Sequence, residues 1–443
     1  MQRLVRLFVA IAAVAASAIA LPARAAVPRP QAGCAWPLAI EQQRLNVLGP
    51  DSGAHYWFLH YSAVPGTRLV IRGQYPDARY FSFTSHDETA VAMASVHDSD
   101  IAPDTGSVNP FLTPTSDRQN YTVYVDFGPR PANPAANTLY VGQTLEGYPN
   151  PGGLLVYRLY IPTDPTDPQG SAPLPDVSLE TNDGAFELAF AQCDSLPPRG
   201  VDEPVDNQLR AANRPDALTA VPPPDKNVPN PPRFAVVYAG AFTDPVTNNL
   251  PPDAGALVPH RPGVVLGNVD WRYLILNFSR AYGETLVFEA QAPSFVDLAT
   301  GDLATANKQL RFWSVCNQAA LTEAALRTLG CRDDVETTTV PDGSGMAGDG
   351  FATRHKFTFV ISDAAHRPTA NMDGVNWIPW GPWESDSILY RFGLPSNAFT
   401  QAPQNVPVGE DPAIKMGAYF PRAAYCSTAA FELVGAVGCL AGH

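Results

Sequence analysis

Tyr56-x-x-Leu59-x-Tyr61-Ser62-x-x-x-Gly66-x-x-Leu69-Val70 is written a second time, without a gap, as Tyr273-x-x-Leu276-x-Phe278-Ser279-x-x-x-Gly283-x-x-Leu286-Val287. The echo continues. Arg79-Tyr80-Phe81-Ser82-Phe83 matches Arg311-Phe312-Trp313-Ser314-Val315, and Tyr157-Arg158-Leu159-Tyr160-Ile161-Pro162 matches Tyr390-Arg391-Phe392-Gly393-Leu394-Pro395. Similar spacing between three such blocks is the mark of one unit copied in tandem. Each block is short, rich in aromatic and β-branched residues and closed by Pro or Gly, which is the signature of strands joined by turns. The expectation is an all-β chain built from two tandem antiparallel β-sandwiches.

The bulk properties agree. A chain of 443 residues exceeds what one core normally holds, roughly 250–300 residues. Its 45 prolines interrupt most segments, which disfavours long helices. Only 16% of residues are charged and the net charge is −14. An acidic, charge-poor chain with no basic run beyond its first residues repels polyanions, so neither nucleic acid nor an anionic membrane is an expected partner.

The first 25 residues read as an export signal. Arg3 and Arg6 supply positive charge, residues 7–20 are apolar, and Ala23-Arg24-Ala25 is a small-x-small cleavage site. The apolar run is short for a membrane span and lacks a twin-arginine pair, so a periplasmic or extracellular destination by general secretion is expected, with no span left after cleavage. Ala32-Gly33-Cys34 resembles the end of a lipid-attachment box, but Gln31 fits that box poorly and lipidation would strand an odd thiol. Six cysteines suit an oxidising compartment. Cys34 and Cys193 bracket the first copy, Cys316 and Cys331 flank a short segment of the second, and Cys426 and Cys439 close the tail, so these three pairs are the expected disulfides. No Cys-x-x-Cys or Cys/His ligand spacing offers a metal alternative.

Along the chain, residues 34–195 form copy one, residues 196–233 a proline-rich and therefore extended linker, and residues 234–443 copy two with its disulfide-closed tail. Copy two carries an insertion near residues 294–307. Residues 319–329 are apolar at helical spacing and are expected to form one short helix between Cys316 and Cys331.

The order of blocks is an Arg-aromatic-aromatic-Ser strand, a central Thr-Val or Thr-Phe strand, an aromatic-Pro-Gly loop and a Tyr-Arg strand ending in Pro. It resembles an uncharacterised bacterial domain common in exported proteins, usually found C-terminal to a second uncharacterised domain. In copy two the match runs through Leu310–Val315 and residues 357–395, with Asn376-Trp377-Ile378-Pro379 on the loop. In copy one Asn137-Thr138-Leu139-Tyr140 replaces that loop, and a second copy stands where the companion domain would be. The resemblance implies a jelly-roll-like β-sandwich. That family has no established activity, so no catalytic residue is carried over.

Four constellations are candidates for chemistry. Arg79, Arg158, Arg311 and Arg391 sit on apolar strands, where a guanidinium requires a carboxylate, carbonyls or an aromatic face. They either fix the fold internally or clamp an anionic or sugar ligand. Trp377, Trp380 and Trp383 recur every third residue on a Pro/Gly-rich stretch and either plug the sandwich or present flat rings to a glycan. His86 and Asp87, with His97 nearby, would make an acid–base pair if their loops converge, and otherwise lie on an ordinary loop. Asp98, Asp100 and Asp104, echoed by Asp333, Asp334, Glu336 and Asp342, supply oxygens for calcium or simply shape turns, since Pro-Asp-x-Gly is ordinary turn chemistry. No Gly-x-Ser-x-Gly elbow exists, and Gly343-Ser344-Gly345 has no His placed to activate its serine. The expected function is non-catalytic binding of a small polar ligand or glycan, or an envelope-associated role, without an obligate cofactor. The alternatives are a secreted hydrolase or lyase using His86 and Asp87, and a structural surface protein.

Overall fold

The computed structural model describes residues 34–43, 45–46, 49–88, 91–115, 117–145, 147–193, 228–237, 267–320, 326–342 and 355–442. The expected export signal, most of the linker and Gly343-Ser344-Gly345 lie outside them. Nine strands of the first half bear on the site: β1 (Leu38–Ile40), β2 (Ala54–Ser62), β3 (Thr67–Gln74), β4 (Ala78–Asp87), β5 (Ala92–His97), β6 (Asn120–Asp126), β7 (Thr138–Tyr140), β8 (Gly152–Pro162) and β9 (Asp176–Thr181). Nine follow in the second: β10 (Ala235–Val237), β11 (Trp271–Ser279), β12 (Thr285–Ala292), β13 (Leu310–Ala320), β14 (Leu326–Asp333), β15 (His355–Ser362), β16 (Val375–Pro379), β17 (Ser385–Pro395) and β18 (Arg422–Cys426).

The strand orders coincide. One sheet of the first half runs β1-β2-β8-β4-β5 and one of the second runs β10-β11-β17-β13-β14. The other two share the orders β9-β3-β6-β7 and β18-β12-β15-β16, the first extended at the β9 edge by residues 187–189 and the second carrying residues 340–341 on β15. One parallel pairing recurs in both halves, β6–β7 in the first and β15–β16 in the second, and the first half adds a short parallel pair of residues 34–35 with 191–192. The fold is thus all-β, two sandwiches with matching strand order, as the repeated blocks require.

Period-two alternation places the side chains. Phe81 and Phe83 of β4 point into the first sandwich with Leu69, Val123 and Tyr157, and Trp313 and Val315 of β13 point into the second with Phe288, Phe357 and Tyr390. The opposite faces of β4 and β13 are not solvated. Tyr80, Tyr160, Trp271, Tyr273, Phe312 and Leu389 form a third cluster between the two central sheets, with the Tyr80 and Trp271 ring centroids 4.5 Å apart. Ala78 to His86 is buried at every position. A strand covered on both faces must satisfy its polar side chains internally, and Arg79, Ser82, Thr84, Ser85 and His86 are all buried within it.

All three disulfides pair as expected: Cys34–Cys193, Cys316–Cys331 and Cys426–Cys439. Such bonds persist in oxidising compartments. No described helix is long and apolar enough to cross a membrane. The helix expected over residues 319–329 is absent from the described part of that segment: residues 319–320 belong to β13 and residues 326–329 to β14, and Cys316 and Cys331 face each other across this antiparallel pair. Antiparallel pairing of the end of β13 with the start of β14 overrides the local apolar spacing. The one long helix among the described residues lies elsewhere, at α2 (Thr428–Leu440), after a shorter turn of helix at α1 (Pro412–Met416). Ser427 caps α2 by accepting from Ala430 N–H, and Gly435 breaks its regularity at φ 65°. Phe431 and Cys439 fasten α2 onto Val287 and Val360 of the outer sheet.

Candidate functional site

The four strand arginines meet at the seam between the sandwiches, in two reciprocal sets. Arg79 of β4 pairs with Asp334 just beyond β14, and Arg311 of β13 pairs at 2.8 Å with Asp98 just beyond β5. Each arginine therefore reaches the other half's carboxylate. Each carboxylate also holds its own half: Asp98 Oδ2 accepts from Phe81 N–H at 3.1 Å, and Asp334 Oδ2 from Trp313 N–H at 2.9 Å. Arg158 of β8 donates to the Gly267 carbonyl at 3.2 Å, and Arg391 of β17 to the Gly49 carbonyl at 2.7 Å. Arg391 also pairs with Asp51 at 3.1 Å, while Ser314 donates to the same carboxylate. These arginines are almost fully buried, and their guanidiniums serve as an internal fastener between the halves.

Burial governs the electrostatics. It pushes Asp333 up to about 7, aided by the neighbouring charge of Asp334. Burial also raises Asp334, and the Arg79 guanidinium pulls back, leaving it at about 6. Asp270, which accepts from the Tyr80 hydroxyl at 2.7 Å, is raised by burial too. His86 is pushed down to about 3 by burial and by Arg158, so it is neutral, and its Nε2 faces the Gly267 carbonyl at 3.2 Å.

His86 and Asp87 do not converge. His86 lies in the seam, whereas Asp87 accepts from Val91 N–H at 3.1 Å in the β4–β5 turn. Arg79 sits at the far end of the same strand. The three acidic residues after β5 also part company. Asp98 holds Arg311, Asp100 is exposed beside His97 at 3.3 Å, and Asp104 accepts from the Thr122 hydroxyl at 3.2 Å. They do not form a calcium cage. Asp51, Cys316 and Cys331 lie close enough for a metal, but both sulfurs are spent in a disulfide.

The tryptophan stretch is a strand and a core plug rather than an open platform. Trp377 lies on β16, half-buried, donating to Ser362 Oγ at 3.0 Å with Arg367 stacked 4.5 Å from its ring centre. Trp380 is 1% exposed and edge-on to Phe278. Trp383 is also buried. Their spacing of three reflects a strand end passing into the sandwich interior.

A site the sequence did not announce lies at one end of the first sandwich. A cavity of about 540 Å³ is lined by Gly73 and Gln74 of β3, Asn120 and Tyr121 of β6, and Asp176 and Gln192, among others. Its wall mixes amides, carboxylates and a guanidinium with the apolar surfaces of Pro173 and Leu174. Such a surface suits a neutral ligand with both donors and acceptors.

No protein-family model matches this chain, and no curated protein is significantly similar to it. Among solved structures, it is similar to an uncharacterised protein from Burkholderia cenocepacia, with a TM-score of 0.44 and 15% identity, over 90% of this chain and 84% of that one. A protein from Vibrio parahaemolyticus matches with a TM-score of 0.36 and 13% identity, over 84% and 88% of the two chains.

Proposed function

We propose that this chain is an exported, non-catalytic binding protein of the periplasm or extracellular space, taking carbohydrate or another small polar ligand. The observation that supports this most directly is the reciprocal seam. The arginines, carboxylates and histidine that would be the raw material of acid–base chemistry are consumed in holding the halves together. Arg79–Asp334 and Arg311–Asp98 are buried pairs, and His86 is neutral and enclosed. A general base must lie within hydrogen-bond reach of a substrate proton, and His86 instead faces a backbone carbonyl. The first-half cavity supplies room for a ligand. The three disulfides and the export-signal reading of the first 25 residues support the destination. The repeated strand order supports descent of both halves from one copied unit.

The test is twofold. Chromogenic glycosides, esters and peptides are incubated with the protein and product is followed. The same protein is screened by thermal shift against neutral sugars, amino acids and divalent metals. No turnover and a ligand-dependent rise in Tm are expected, because a ligand bound only by the native state stabilises it by RT ln(1 + [L]/Kd). Turnover that disappears in His86→Gln would overturn the reading and restore the hydrolase or lyase alternative.

A further inference from the structure

The two halves differ at the cavity by a compensated exchange, in which the first half adds a ring hydroxyl and removes a Cβ. In the first half the register pair Gly73–Tyr121 closes the end of β3 against β6. In the second half the corresponding pair of β12 and β15 is Ala290–Phe357. The second half thus fills this place with a methyl group and a phenyl ring. The first half has a tyrosine whose hydroxyl is buried without a partner, and a glycine whose missing Cβ would lie 2.5 Å from that hydroxyl. Burying an unsatisfied hydroxyl costs about 1–3 kcal/mol, and the second half demonstrates that a phenyl ring packs there without one. Both Gly73 and Tyr121 line the cavity.

In the second half a longer stretch of its own chain reaches the corresponding strand end. Residues 163–175 connect β8 to β9, whereas the much longer segment 396–421 connects β17 to β18. That longer segment brings in Tyr419, whose hydroxyl accepts from Gln291 Nε2 at 2.9 Å and from Gln309 Nε2. Gln291 stands at the register position of Gln74, since Gln74 faces Asn120 as Gln291 faces Lys356. The second half therefore shows what this position accepts: a hydroxyl carried on a six-membered ring, held by a glutamine amide.

We propose that the first-half cavity binds a hydroxyl-bearing ring of the carbohydrate class in the place that Tyr419 fills in the second half. This rests on the binding reading above. Gln74 donates to a ligand hydroxyl, and Asn120 and Asp176 offer further donor and acceptor groups. The Tyr121 hydroxyl pairs with the ligand at the inner wall after a small movement about Gly73. A volume of about 540 Å³ accommodates one or two pyranose units rather than a long glycan.

The experiment is isothermal titration of the full chain with glucose, N-acetylglucosamine, galactose and cellobiose, with phenol as a non-sugar hydroxylated ring. Binding of at least one sugar is expected. Gln74→Ala and Tyr121→Phe should each weaken it tenfold or more, while Trp377→Phe on the distant β16 leaves it unchanged. Tyr121→Phe keeps the ring that the second half uses at this register, so its ligand-free melting temperature should be unchanged or raised. Binding of phenol but of no sugar overturns the ligand class. Sugar binding that survives both cavity variants overturns the location and leaves the general binding reading standing. Heat from none of the probes overturns the inference, and product formation in any titration would instead sink the non-catalytic reading.

Discussion

Replacing Arg311 by Met should cost about 3–5 kcal/mol, because it removes one member of a buried ion pair and leaves the other uncompensated. Asp98 is fully buried, and Arg311 Nη1 is its cationic partner at 2.8 Å. The remaining contacts of Asp98, from Phe81 N–H at 3.1 Å and Ser99 N–H, do not neutralise it. Arg311 also donates to the Arg79 carbonyl at 3.2 Å, so the same substitution leaves a buried acceptor wanting. The Arg311→Met/Asp98→Asn double variant should recover much of the loss. The asparagine oxygen can still accept from Phe81 N–H while the buried charge is gone, and a coupling energy of about 2–3 kcal/mol is expected from the cycle. The assay is guanidinium denaturation with disulfides intact, followed by tryptophan fluorescence. Seven tryptophans are distributed over both halves, so loss of coupling between the sandwiches would also appear as a split transition. A loss below about 1 kcal/mol in the single variant, or strict additivity in the double, would refute the fastener reading of the seam. The reciprocal pair predicts the same pattern for Arg79→Met and Asp334→Asn.

Three further outcomes follow from particular residues. Asp333 has a folded pKa raised to about 7, so its contribution favours folding when protonated and is lost as pH rises from about 4 through 7. Asp333→Asn should accordingly be more stable than wild type at pH 8, with the advantage vanishing near pH 4, as measured by denaturation at each pH. Tyr419→Phe strands the amide donors of Gln291 and Gln309 and should cost about 2 kcal/mol, whereas Tyr121→Phe removes an orphan hydroxyl and should cost nothing; thermal melts of the two variants separate these directions. The Cys34–Cys193 bridge closes a separation of 159 residues, against 13 for Cys426–Cys439. By loop-closure entropy, Cys34→Ala/Cys193→Ala should lose about 5 kcal/mol and Cys426→Ala/Cys439→Ala about 3, and denaturant midpoints that reverse this order would contradict the entropic account.

Strand existence and the cysteine pairing were legible because each is written locally or in a bracketing position. Period-two runs closed by Pro or Gly name strands, and two sets of such runs name two sandwiches. The seam left a readable trace as well. Arg79 and Arg311 recur at matching positions, Asp98 and Asp334 follow the next strand in both copies, and large aromatic residues stand on both faces of Arg79 to Phe83. Together these features point to strands buried on both faces with a repeated Arg–Asp set. What they cannot give is the crossing of partners, since pairing within a copy and pairing between copies fit the same spacing. The segment at residues 319–329 misled for the opposite reason: local apolar spacing favours a helix, and only the edge of a neighbouring strand makes it a hairpin.

The sequence by itself determined the all-β class of fold in two sandwiches and the covalent closures, because alternation, turn chemistry and cysteine order act between near neighbours or at the ends of a unit. The tertiary structure alone decided that the arginines bridge the halves, that Trp380 and Trp383 lie inside, and that Gln291 holds Tyr419 in one half while a cavity lies beside Tyr121 in the other. Those outcomes depend on which surfaces meet and on how far a connecting segment reaches. Groups separated by more than two hundred residues come within hydrogen-bond distance only once both sheets have formed.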